Sequence, residues 1–257
     1  MKKIKSVSWH FPPTTNRRGI ARRKHDIKHV LIVETELFAE PTVIMSDIHA
    51  QTPELVKLLD EYLHLDKFVM LTAGDMAGEN IFGTDGDPTP EYEFLNSRCK
   101  EFYFVQGNHD LPDYEHHKEQ KLKNKLGKNA MIKNGTLVNT SIGKIAGIIG
   151  IISNKDHPYK MPKYHFFKHL HKCLSRRPRI LMTHDTPSIY AFYEDGNRYV
   201  GNEEIFKTVN KYKPKIHIFG HCHHPEFYHE INGVHYINAD ARVIICVAGE
   251  VQEYEFE

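Results

Sequence analysis

Cysteine is scarce in this chain of 257 residues: Cys99, Cys173, Cys222 and Cys246 are all it has, widely spaced and with no Cys-x-x-Cys pair. That pattern fits reduced thiols in a cytoplasmic protein better than a disulfide framework. A chain of this length buries enough surface to hold its core without such staples. Long apolar runs are missing too. No stretch has the make-up of a signal peptide or the length to span a bilayer, so a soluble protein with no membrane partner is expected. Net charge is nearly absent, with 34 Lys and Arg against 33 Asp and Glu. The overall balance therefore selects neither a polyanionic nor an acidic-surface partner. Internal repeats and low-complexity tracts are lacking, which excludes a repeat array.

The residues that are present describe a globular chain, 40% hydrophobic and 26% charged. Residues 1–41 read as an N-terminal arm and a short strand, part of or appended to the domain formed by residues 42–257. Trp9-His10-Phe11-Pro12-Pro13 and the basic residues Arg17, Arg18, Arg22, Arg23 and Lys24 belong to the arm. Val30 to Val33 gives the short strand.

From Thr42 onward, apolar runs of strand length alternate with polar clusters. Thr42 to Met45 leads into Asp47 and His49, and Phe68 to Leu71 into Asp75. Phe102 to Val105 leads into Asn108, His109 and Asp110. Ile180 to Met182 precedes His184, and Ile216 to Phe219 precedes His221 and His223. Thr52 and Pro53 open a helix carrying Leu55, Val56, Leu59, Tyr62 and Leu63 on one face. Met76 to Tyr92 reads as a long loop, Glu91 to Ser97 as helical, and Ile145 to Ile152 as a strand. Three further strands close the chain, with Asn232-Gly233 marking a hairpin between the first two. The alternation predicts a mixed α/β architecture.

Ligands in open α/β sheets bind at the carboxyl ends of the strands. Five strand runs here end in groups able to hold a metal. With 19 histidines in the chain, no single one is informative; their ordered placement after strands is. Asp47 and His49, two apart, project to the same side of an extended chain, as do His221 and His223. Asp75 has two oxygens to share between cations, and Gly74 beside it leaves room for close approach. Imidazole with carboxylate suits Mn, Fe or Zn better than Ca or Mg.

The series Asp47-x-His49, Gly74-Asp75, Gly107-Asn108-His109-Asp110, His184 and Gly220-His221-x-His223 resembles the calcineurin-like metallophosphoesterase superfamily, over about Thr42 to Ile237. The resemblance implies a four-layer α/β/β/α sandwich and two divalent transition-metal ions, with Mn favoured. It assigns Asp47, His49, Asp75 and His223 to one metal, and Asn108, His184, His221 and the shared Asp75 to the other. An Asn at 108 keeps that centre positive even with a bridging hydroxide, so it still attracts phosphate. His109 is then the group that stabilises the phosphoryl or protonates the leaving alkoxide. Asp110 either orients His109 or serves as a turn residue ahead of Leu111-Pro112.

The implied activity is hydrolysis of phosphate mono- or diesters of a small phosphorylated compound or nucleotide, by a bridging hydroxide at the dinuclear centre. Protein phosphatases of the superfamily carry Asp-Arg-Gly after Gly-Asp and Glu after Asn-His. This chain has Met76-Ala77-Gly78 and Asp110, which disfavours a protein substrate, and its second motif lacks the Asp that usually pairs with the catalytic His. The loop of residues 79–93 is expected to overhang the pocket, and Tyr190, Phe192, Tyr193 and Arg198 are candidates to contact a base or an organic leaving group. A nuclease or end-processing enzyme engaging nucleic acid through the N-terminal basic cluster is the alternative, and a non-catalytic interaction module on the same fold is the third reading.

Overall fold

A computed structural model describes residues 1–10, 27–49, 56, 59–60, 64–77, 86–110, 126, 130–157, 159–189, 201–222, 224 and 226–247. Two six-stranded sheets dominate. The first runs β1 (Lys2–His10), β2 (Ile27–Glu34), β14 (Arg242–Val247), β3 (Thr42–Ser46), β4 (Val69–Thr72) and β5 (Glu101–Phe104) in spatial order. The second runs β12 (Tyr228–Ile231), β13 (Val234–Asn238), β11 (Ile216–Phe219), β10 (Ile180–Thr183), β7 (Gly143–Ile148) and β6 (Thr136–Thr140). β8 (Ile151–Ile152) and β9 (Lys160–Met161) form a short parallel pair. The helices are α1 (Thr89–Arg98), α2 (Lys163–Leu174) and α3 (Glu203–Tyr212). Sheet against sheet with helices outside is the four-layer α/β/β/α sandwich.

Strand alternation builds the layers. In β10, Ile180 and Met182 face the core shared with the first sheet, while Leu181 faces the core under α2 and α3. In β11, Ile216 and Ile218 turn to the first core and Phe219 to the second. This period of two lets one strand serve both faces of a covered sheet. α2 contributes Phe166, Phe167, Leu170, Cys173 and Leu174 to the second core, and α3 contributes Ile205 and Val209. Burying each such side chain stabilises the fold by about 1.5–3 kcal/mol. α3 starts at Asn202, whose side chain accepts from the Glu204 and Ile205 amides, and ends at Lys213 in a left-handed conformation (φ 52°).

Several boundaries differ from the sequence reading. Trp9 and His10 lie in β1, paired with Lys28 and Ile27 of β2, not in an irregular arm. Arg17 to Lys24 lie outside the described residues, as do Thr52, Pro53 and Leu55; Val56, Leu59 and Asp60 are helical, the first two buried. The expected strand from Ile145 to Ile152 breaks at Gly150 (φ 69°), whose amide bonds to the Gln106 carbonyl. Thr89 to Tyr92 belong to α1 and not to a loop. The hairpin at Asn232-Gly233 is present, with positive φ at both residues, as a two-residue turn requires. Among the described residues, no helix is long and apolar enough to cross a membrane.

His217 in β11 is fully buried, with Nε2 2.9 Å from the Thr183 hydroxyl. Thr183 donates its single proton to the Asp185 carbonyl at 2.7 Å, so it accepts from His217 and the ring proton sits on Nε2. Burial holds this imidazole down at about 3. A histidine depressed in the folded state from 6.5 supports folding above pH 6.5 and loses that support as pH falls toward 3. Acidification to pH 5 is therefore expected to cost about 2 kcal/mol through this residue alone. Urea denaturation of the parent and of His217→Gln at pH 7.5 and 5 checks this: the variant should lose less stability between the two pH values, and equal losses would reject it.

Candidate metal centre

The centre forms where β3, β4 and β5 of the first sheet and β10 and β11 of the second end together. β3 and β4 keep hydrogen-bonding past their last residues. The Asp47 amide donates to the Gly74 carbonyl at 3.0 Å and the His49 amide to the Asp75 carbonyl at 3.1 Å. This puts Asp47, His49 and Asp75 side by side, but not through the extended geometry expected from their spacing. Asp47, His49, Asp75 and His221 all adopt left-handed backbone, with φ of 57°, 52°, 50° and 71°. Asp and His tolerate this region better than most residues, and each such residue costs on the order of 1–3 kcal/mol. The side chains converge because the chain turns sharply after each strand.

Two groups of possible ligands result: Asp47, His49 and Asp75, and Asp75, His184 and His221. Within each group the ligand atoms all lie within 4.8 Å of one another, and Asp75 belongs to both. Asn108 joins the second group, its Oδ1 3.1 Å from His184 Nε2. Asp47, Asp75, Asn108 and His184 are buried, while His49, His109 and His221 keep some exposure. His223 lies outside the described residues, as do Tyr190, Phe192, Tyr193, Arg198 and residues 78–85 of the loop.

The donor set fits divalent ions on its own chemistry. His184 Nδ1 lies 2.8 Å from the Ala73 carbonyl and His49 Nδ1 3.2 Å from that of Ala77. A carbonyl can only accept, so each Nδ1 carries the proton and the opposite nitrogen, Nε2, is left to bind a cation. Burial, and then the charge of His184, hold His221 down at about 4, a neutral ring with an available lone pair.

The buried charged groups of the centre shift one another strongly. Burial and the neighbouring Asp240 carboxylate push Asp47 up to about 7. Burial would also raise Asp75, but the His184 charge and hydrogen bond, with His49 and His109, hold it below the usual carboxylate range. For His184, burial alone would keep the ring neutral, yet Asp75 and then Asp47 raise it to about 10. A divalent ion held by these residues would supply a fixed positive charge in place of the shared proton.

The carboxylate of Asp110 serves the backbone around the centre. It is fully buried and clasps three segments: its Oδ1 accepts from the Ala77 amide at 2.8 Å, and its Oδ2 from the Gly107 amide and the Tyr92 hydroxyl, both at 2.9 Å. Among the described residues these groups, and not the His109 ring, engage its oxygens. His109 donates its amide to Asp75 Oδ1 at 2.8 Å, and its ring centroid lies 5.8 Å from that of His49.

Sequence reasoning passed over Ser46, Tyr92 and Asp240. Ser46 donates to Asp47 Oδ2 at 2.6 Å, which also takes the His221 amide at 3.0 Å. Asp240, in the connection from β13 to β14, forms an isolated backbone bridge with Ser46. The rule that found the other acids, a polar residue just past a strand, applies to Asp240 after β13; nothing local marks Tyr92.

Two glycines set how closely these segments approach. A Cβ on Gly107 would collide with the Asp75 carboxylate and amide, and one on Gly220 with Ser46 and the Asp47 carboxylate. Gly107→Ala is expected to destabilise the chain by about 1–3 kcal/mol, the usual cost of overpacking a dense site. Its urea midpoint against that of the parent measures this; an unchanged midpoint would show that Asp75 has room to move.

At the level of sequence, the calcineurin-like phosphoesterase family model matches residues 40–225. No curated protein sequence matches the chain. Among solved structures, TT1561 of Thermus thermophilus is similar at 12% identity and TM-score 0.56, over 79% of this chain and 90% of that one. A second solved structure is similar at 11% identity and TM-score 0.58, over 77% and 90% of the two chains. These likenesses establish the fold, and the family model spans most of the chain, motifs included. The chain belongs to the calcineurin-like phosphoesterase family.

Proposed function

We propose that the protein is a dinuclear metal-dependent phosphoesterase acting on phosphate mono- or diesters of a small phosphorylated compound or nucleotide. The observation that carries this reading is the sharing of one carboxylate, Asp75, by two groups of ligand atoms. Asp47, His49, Asp75 and His223 would hold one ion, and Asn108, His184, His221 and Asp75 the other, with manganese the favoured metal. When bound, a pair of divalent ions acidifies water and clamps the oxygens of a phosphoryl group.

The chain's own residues supply the rest. Asn108, as a neutral ligand, leaves the centre positive toward an anionic substrate. Asp110 and Tyr92 hold the Gly107 turn, and through it the positions of Asn108 and His109. His109 stands next to the ligands with its ring partly exposed. There it would donate a proton to the departing oxygen, the second half of an in-line displacement.

Purified protein is expected to take up close to two transition-metal ions per chain, read by elemental analysis after reconstitution; trace metal alone would refute the centre. With manganese in excess, Asp75→Asn should remain far less active than His49→Ala, since only Asp75 belongs to both groups. Equal rescue of the two variants would argue against a bridging carboxylate.

His109→Ala is expected to retain its metals while kcat falls by about 10²–10⁴. The loss should shrink for nitrophenyl esters, whose leaving groups need no proton, and grow for alkyl esters. A plot of activity against leaving-group pKa, steeper for the variant than for the parent, supports proton donation. Parallel plots mean that His109 stabilises phosphoryl charge instead.

A further inference from the structure

The outer face of α2 and α3 carries a charge pattern that the metal centre does not use. From Lys163 to Arg179 the chain has Lys163, Lys168, Lys172, Arg176, Arg177 and Arg179, three histidines, and no Asp or Glu, although its net charge is only +1. The apolar residues of α2 point into the second core, which leaves Lys168 and Lys172 on the solvent side. Lys168, Lys172 and Arg176 follow one another at intervals of four, and Arg176 and Arg177 are exposed just past the helix.

Like charges at that spacing repel, and the fold does not need them. The neighbouring α3 shows the ordinary solution, with Glu203 and Lys207 paired at 2.8 Å. Lys163 is paired with Glu204. Among the described residues, no carboxylate forms an ion pair with Lys168, Lys172, Arg176 or Arg177.

A second observation lies on the same face. An open groove of about 480 Å³ is lined by Lys163, Tyr164, Phe167, Lys168, His171 and Glu204. Tyr164 is 71% exposed, the sole exposed large hydrophobic side chain among the described residues. A planar ring beside a row of cations is the combination that holds unpaired nucleotides, by stacking a base and neutralising phosphates. A lipid surface would call for several exposed apolar side chains to insert, and this face offers one ring.

Topology orients the row. β7 and β10 are parallel neighbours, and α2 is the crossover between them, so it runs against both. Its first residues therefore lie toward the sheet edge where His184 follows β10. The helix is about 18 Å long, and a strand laid along it from Arg177 would reach Tyr164 at the end toward that edge.

We propose that this face binds single-stranded nucleic acid, with phosphates along Lys168, Lys172, Arg176 and Arg177 and a base against Tyr164. The proposal goes beyond the hydrolytic reading and is tested by binding alone. Fluorescence anisotropy of a labelled mixed-sequence oligonucleotide of about 15 nucleotides, a length near the site size of a small single-strand binder, is read with the full chain at about 50 mM salt. The oligonucleotide's integrity is checked on a gel.

K168E/K172E/R176E should weaken binding by at least about tenfold and make the plot of log affinity against log salt shallower by about 2. Tyr164→Ala should weaken binding by about fivefold or more. Both variants should turn over an aryl phosphate ester as the parent does and keep its circular dichroism; should the charge reversal fail to fold, K168Q/K172Q/R176Q replaces it. No binding by the parent, or equal affinity in the charge variant, overturns the proposal. Equal affinity in Tyr164→Ala overturns the stacking half of it. Loss of binding to phosphatidylserine vesicles with the oligonucleotide retained would mean that the face serves a membrane instead, and overturns it as well.

Discussion

The carboxylate of Asp75 is the interaction on which the rest of the centre depends. One oxygen accepts the His109 amide and the other lies 3.2 Å from His184 Nε2, while the backbone carbonyl accepts the His49 amide. It thus joins motifs from the ends of three strands of one sheet to a histidine from the other. Such a joint is stable only if its charge is balanced. His184 balances it by taking up a proton that burial would otherwise forbid. The cost of burying these groups makes the site a receptor for positive charge before any substrate is considered.

Around that joint, the supporting polar groups constrain backbone more than they touch the reacting space. Asp110 ties the Gly107 turn to Ala77 and to α1 through Tyr92. Ser46 and the His221 amide hold Asp47 Oδ2. The left-handed backbone at Asp47, His49, Asp75 and His221 is sustained because these bonds over-determine it. Ordered strands deliver the chain to the edge, and the turns beyond them aim the side chains. The same division explains the outer face: α2 is amphipathic for the sake of the second core, which leaves its solvent side free to carry charge for another purpose.

Much of the architecture was legible in the residues. The apolar runs before Asp47, Asp75, Asn108, His184 and His221 are strands β3, β4, β5, β10 and β11, because a buried strand in a covered sheet is apolar on both faces. Helices α2 and α3 were not anticipated. In α2 the apolar residues Phe166, Phe167, Leu170, Cys173 and Leu174 do recur at helical spacing after Pro162, but the helix lacks a capping side chain and mixes histidines with lysines, and the pattern was passed over. The break at Gly150 was hidden for a different reason: it answers to a hydrogen bond with Gln106, far away in sequence.

The sequence by itself determined which residue types stand after which strands, and with them the family. Those features are local: a run of β-branched and apolar residues followed by Asp, His or Asn is written in the chain. What only the tertiary structure decided is how the groups meet. Extended-chain alternation would have put Asp47 and His49 on one side of a strand; left-handed turns held by partners from other strands put them together instead. Asp110 is a clasp because Ala77, Tyr92 and Gly107, distant or unremarkable in sequence, converge on it. Contacts of that kind depend on the packing of whole sheets, and no local pattern of residues encodes them.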